Sequence, residues 1–124
     1  MKSYKDLDVY KTAYDLAIKV HKITLTLPKY ELYEQGSQVR RSTKSIKDNI
    51  VEGYGRKRYK DDFIRFLTYS QSSCDEAISQ ISMISDIHFS DKPLTDLIEQ
   101  YNILGKKINK FIQYVQNNWN KFNN

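Results

Sequence analysis

Two prolines and four glycines are all that this chain of 124 residues has for sharp turns. An all-β fold of this length needs a turn every roughly eight to twelve residues. The shortage therefore favours a few long helices joined by few connections. The apolar residues agree, because they recur at intervals of three and four in four successive segments.

The first segment spans about residues 6–27 and stops at Pro28, which biases the residue before it away from helix. Its stripe is Tyr10, Ala13, Ala17, Val20, Thr24 and Leu27, with Val9, Leu16 and Ile23 alongside; Tyr14, Ile18 and Leu25 widen it further. A helix on the outside of a monomeric bundle needs roughly 100° of apolar face, and this one has more. The second segment, about 31–54, has a narrow stripe through Val39, Ile46 and Ile50, and Gly53 and Gly55 offer left-handed positions to cap it. The third, about 60–87, carries Phe63, Phe66, Leu67, Cys74, Ala77, Ile81 and Ile84. Its middle is rich in small residues that let a neighbour approach, and Asp61 and Asp62 suit its positive N-terminal dipole. The fourth, about 94–118, follows Pro93 with Leu97, Tyr101, Leu104, Ile108, Ile112 and Val115, and the polar tail from Asn117 is expected to fray. Short breaks make consecutive helices antiparallel neighbours. The expected fold is all-α, one domain over residues 1–124, an antiparallel up-down-up-down four-helix bundle.

The charge is unevenly spread. Between Ser37 and Arg65 nine cations face four carboxylates, an excess of five that equals the formal charge of the whole chain. The single cysteine, Cys74, has no internal disulfide partner and suits a reducing compartment. No apolar run follows the N-terminal charges, and no segment approaches the ~20 apolar residues of a membrane span. A cytoplasmic protein without a membrane partner is expected.

Catalytic and metal chemistry find little to work with. His21 and His88 lie on different helices, and neither has a carboxylate or cysteine three or four residues on along its own helix, so they read as helix-face histidines with local partners. Gly53-Tyr54-Gly55 follows a helix rather than a strand, which argues against a nucleotide-binding glycine loop. No catalytic residue, metal or cofactor is expected, and the chain does not read as an enzyme.

Arg41, Ser45, Asn49, Glu52 and Arg56 share one face of the second helix, and Ser73, Glu76 and Gln80 repeat the rhythm on the third. Either these stripes are solvated faces, or they hydrogen-bond to one another within or between subunits. Ser and Asn are poor formers of exposed helix, which favours the second possibility. The exit of the second helix, Tyr54-Gly55-Arg56-Lys57-Arg58-Tyr59-Lys60, interleaves cations with tyrosines. With Arg40, Arg41, Lys44 and Lys47 it makes a candidate basic strip for phosphates, with Tyr54 and Tyr59 to stack on bases. Alternatively, Arg56, Lys57 and Arg58 only complement a helix C-terminus.

Asn49-Ile50-Val51-Glu52-Gly53-Tyr54-Gly55-Arg56 resembles the Asn-Ile-x-Glu-Gly-x-Gly-Arg signature of a bacterial four-helix bundle family encoded in intervening sequences of 23S ribosomal RNA genes. The opening Tyr4-Lys5-Asp6-Leu7-Asp8-Val9-Tyr10, Ser73-Cys74-Asp75-Glu76, and Pro28, Glu31, Gln38, Arg40, Arg41, Ser45, Phe63 and Phe66 also fall where that family has them, over about residues 4–88. Val51 replaces a usual alanine, and Ser70-Gln71-Ser72 is more polar than the family's stretch. The resemblance implies a ring-like homopentamer. It also implies kinship with the basic, nucleic-acid-binding accessory variability protein of diversity-generating retroelements. The function expected is a non-catalytic oligomer that binds nucleic acid, RNA before DNA, through the basic strip. The alternative is a structural module whose homo-oligomer docks a protein partner.

Overall fold

The computed structural model describes residues 3–123. Ser3 opens the chain with a capping box: its hydroxyl accepts the Lys5 N–H while the Asp6 carboxylate accepts the Ser3 N–H, and a single 3-10 turn over Tyr4–Asp6 follows. Among the described residues six α-helices come next: α1 (Asp8–Thr24), α2 (Lys29–Leu32), α3 (Gln35–Gly55), α4 (Lys60–His88), α5 (Thr95–Asn117) and α6 (Trp119–Asn123). No strand occurs among the described residues, and the fold is all-helical. No helix among them is long and apolar enough to cross a membrane.

Three local expectations give way to tertiary contacts. The helix expected over 31–54 is two helices, broken at Tyr33 and Glu34. Arg40 explains how the break is tolerated. Its guanidinium donates to the Leu32 carbonyl at 2.9 Å, an acceptor left without a helical partner, and to Thr24 Oγ1 at 2.9 Å. Gly36 leaves room for that arm, since a Cβ there would lie 3.0 Å from Arg40 Nη1 and 3.2 Å from the Glu31 carbonyl.

Second, the glycines after Ile50 do not turn left-handed. No described residue has positive φ, both glycines are helical, and Arg56 ends α3 at φ −106°. Gly53 instead serves packing: a Cβ would stand 3.1 Å from both Phe63 Cδ1 and Phe66 Cβ. Third, the tail expected to fray from Asn117 is helical over Trp119–Asn123, and Asn124 lies outside the described residues. α6 returns Trp119 and Phe122 to the Phe63 ring, at 6.4 and 5.3 Å between centroids, with Phe111 completing the cluster at 6.0 Å. Aromatic contacts of this kind add about 0.5–1.5 kcal/mol each to the burial itself. They hold a sequence whose polar letters alone predict disorder.

α1 packs on α3 and α5, and α4 packs on the same two helices, so the four long helices enclose one core. Val39, Ile46, Ile50, Phe63, Leu67, Tyr101, Leu104 and Ile108 are wholly buried there. Each such side chain is worth ~1.5–3 kcal/mol relative to exposure. The small residues in the middle of α4 bring its neighbours close. Ser70 donates to the Ile46 carbonyl of α3 at 2.7 Å, and the Cys74 thiol donates to the Tyr101 carbonyl of α5 at 3.3 Å. Burial pushes the Cys74 thiol up to about 12, with Asp75 adding to the effect, so it stays protonated and inert at neutral pH.

Candidate nucleic-acid interface

α3 is flanked by α1 on one side and α4 on the other, so residues a few positions apart on its outer surface look into different grooves. The nine residues expected to form one basic strip are divided accordingly. Lys44 and Lys47 line a groove of about 390 Å³ toward α1, together with Tyr14, Ala17, Ile18, His21 and Lys22. Arg41 lines a second groove, of about 470 Å³, toward α4.

Five of the nine are turned away from solvent or occupied. Arg40 is fixed between Thr24 and Leu32 as described above. Tyr54 is buried at 8% exposure, its ring edge-on to Phe63, and offers no free face for a base. Lys57 lies over the Tyr54 ring at 4.2 Å from its centroid and donates to the phenol oxygen at 3.0 Å. Arg56 is engaged as well: it pairs with Glu52 at 3.1 Å and Asp62 at 3.9 Å and stands over Phe66 at 5.0 Å. Arg65 meets the same Asp62 and the same ring. Such exposed pairs are worth at most ~1 kcal/mol, yet they neutralise Glu52 and Asp62, two of the segment's four carboxylates; Asp61 has no such partner among the described residues.

Asp48 is neutralised likewise by Lys47 at 2.6 Å. What remains is Arg41, whose one hydrogen bond goes to Ser37 at 3.3 Å, with Lys44, Arg58 and Lys60. These last three have no ion-pair or hydrogen-bond partner among the described residues, and beside Arg58 the Tyr59 ring is 61% exposed.

The polar stripe is a hydrogen-bonded seam within one chain. Ser45 and Ser73 share a bond of 3.0 Å, Asn49 donates to Ser45 at 3.0 Å, and Ser42 donates to Glu76 at 2.9 Å, where Gln80 also donates at 3.3 Å. Ser42, the buried member of this seam, is hidden in the sequence because it lies among the apolar residues facing the core. Arg41 and Glu52 stay on the exposed rim.

His88 has a distant partner rather than a local one. Its Nε2 meets Glu31 Oε2 at 2.7 Å, both side chains nearly buried, and joins the α2 corner to the end of α4. That hydrogen bond holds the Glu31 carboxyl below its ordinary range, against the opposing effect of burial. His21 lines the α1–α3 groove. Among the described residues no three of His, Cys, Asp and Glu gather as a metal site.

The sequence profile of the 23S rRNA-intervening sequence proteins matches residues 5–110, and the seam and the exit of α3 both fall inside that match. The chain belongs to this family. No curated protein matches it. The match runs past the 4–88 region in which the resemblance is legible by eye and takes in most of α5. The family signature 49–56 contributes Asn49 to the seam, Glu52 and Arg56 to the cation–π network, and Gly53 to close packing. Its residues therefore carry contacts between α3 and α4.

Proposed function

We propose that this member of the 23S rRNA-intervening sequence protein family is a non-catalytic, homo-oligomeric nucleic-acid-binding protein directed at RNA. Its subunit is read as an antiparallel up-down-up-down four-helix bundle. Contacts that climb one helix while descending the next support that topology: Ser42 with Glu76 and Ser45 with Ser73, and Lys19 with Gln100 and Asp8 with Lys107.

The observation that carries the binding reading is the charge left over after ion pairing. Asp48, Glu52 and Asp62 are matched to Lys47, Arg56 and Arg65, whereas Arg41, Lys44, Arg58 and Lys60 have no carboxylate partner among the described residues, and Asp61 is the single unpaired carboxylate set against them in the segment. Unpaired cations beside an exposed tyrosine suit phosphates and unstacked bases, which single-stranded regions of RNA present. The test is affinity of the full chain for structured RNA and for duplex DNA across a salt series. Lys44→Ala and Arg58→Ala should each weaken binding and make log K less steep in log salt by about 0.7–0.9. Binding insensitive to salt, or none at low salt, overturns the proposal.

Oligomerisation is supported by α1. Tyr14, Ile18 and Leu25 are 44%, 42% and 59% exposed along one stripe. A ring of five is the form that the family resemblance implies, and it would multiply the exit loop into an avid array. Light scattering decides it, and a monomer removes the ring. The same stripe supports the second reading, docking of a protein partner, if it stays uncovered in the assembled particle. A cytoplasmic setting fits the single buried thiol.

A further inference from the structure

The corner where α5 passes into α6 holds a groove separate from those beside α3. Lys60, the first residue of α4, lines it together with Trp119 and Lys121, and Gln116, Asn117 and Asn120 add carboxamides. Its volume is about 450 Å³ and it is open to solvent. Ligand pockets run from about 300 to 1,000 Å³.

The chemistry of this lining is selective. It holds two lysines and no carboxylate, and neither lysine has a partner among the described residues. The α3–α4 groove, by contrast, contains Glu76. Trp119 is half-buried and held in place, stacked on Phe122 at 6.4 Å and edge-on to Phe63, so an indole surface is fixed before any ligand arrives. Carboxamides present donors and acceptors together, which is what the edges of an unpaired base require. Lys60 also follows Arg58 and Tyr59 directly in the chain, so the groove continues the unpaired cations of the exit loop.

We infer that this corner is a nucleotide-binding groove that takes an unpaired nucleotide of a single-stranded RNA. Its phosphates lie on Lys60 and Lys121, its base stacks on Trp119, and the carboxamides meet the base edge. The inference rests on the nucleic-acid reading above and adds to it a site and a strand preference. Residues 116–121 lie outside the 5–110 family match, so family membership does not supply this groove.

The chain has one tryptophan, which places an intrinsic fluorophore in the groove. The experiment titrates the full chain with a short oligouridine, following Trp119 fluorescence and, in parallel, the anisotropy of a labelled copy of the same RNA. The expected result is quenching that saturates together with anisotropy. The Lys60→Gln/Lys121→Gln double variant, which leaves the aromatic packing intact, should bind about tenfold more weakly at low salt. Its log K should be less steep in log salt by about 1.4, because two phosphates of a single strand are no longer neutralised. Binding by anisotropy with unchanged Trp119 fluorescence and an unaffected double variant overturns the groove and leaves the broader reading standing. Equal quenching by duplex RNA, whose bases are already stacked, also overturns it. No binding of any RNA overturns both.

Discussion

The two flanks of α3 are built from different chemistry. Toward α4, Ser42, Ser45 and Gly53 face Ser70, Ser73 and the Phe63–Phe66 pair, and the helices come close enough for hydroxyls to bond across. Toward α1, Lys44 and Lys47 face Tyr14 and Ile18 over an open groove. Small residues, polar or not, mark where a neighbouring backbone sits. Long cations beside exposed apolar groups mark a surface that the single chain leaves unfilled.

The sharpest way to break this contrast is to thicken the α4 flank. Gly53→Val should cost about 3 kcal/mol by forcing the Phe63–Phe66 contact apart, read as a lower urea midpoint. Gly55→Ala, two residues on and with nothing near its Cβ, should instead stabilise by about 0.5–1 kcal/mol. Equal effects at the two positions would refute the close-packing role of Gly53.

The seam comes next. Ser45→Ala and Ser73→Ala remove opposite ends of one hydrogen bond, and a double-mutant cycle should return a coupling of about 1 kcal/mol. Zero coupling would make the stripe a solvated face after all.

On the α1 flank, Ile18→Gln should change subunit stability by less than about 0.5 kcal/mol, because the side chain is already 42% exposed. Light scattering of the same variant should show a smaller particle if that stripe joins subunits.

The Glu31–His88 pair refines the picture at the end of the fold through pH. The folded carboxyl titrates below its ordinary value of 4.5, so the folded state binds this proton less tightly than the unfolded chain does. Its stabilisation is complete above that value and is lost as pH falls through the depressed one. Thermal melts of the wild type should therefore fall toward those of Glu31→Gln as the solution is acidified below about pH 4.5. Parallel curves would rule the pair out as a stabilising contact.

The helical segments around Val39–Ile50 and Leu97–Val115 were legible because apolar spacing of three and four reports directly on a buried helix face. The break at Tyr33–Glu34 was not, because it depends on Arg40 reaching a carbonyl that the break itself sets free. The basic cluster was legible as charge but not as an interface. Arg40, Tyr54 and Lys57 have the composition of a phosphate and base site, yet each is turned inward or occupied. The order of residues along α3 gives their angles around its axis, and only the positions of α1 and α4 say which angles remain open.

By itself, then, the sequence determined an all-helical chain and, through 49-NIVEGYGR-56 and its companions, the family to which that chain belongs. Periodicity and local motifs suffice for both, since each is a property of residues near one another in the chain. The tertiary structure decided that Gly53 serves close approach rather than a turn, that the last helix returns to Phe63, and which cations stay unpaired. Those outcomes depend on contacts between residues far apart in sequence, such as Phe63 with Phe122, and no local pattern encodes them.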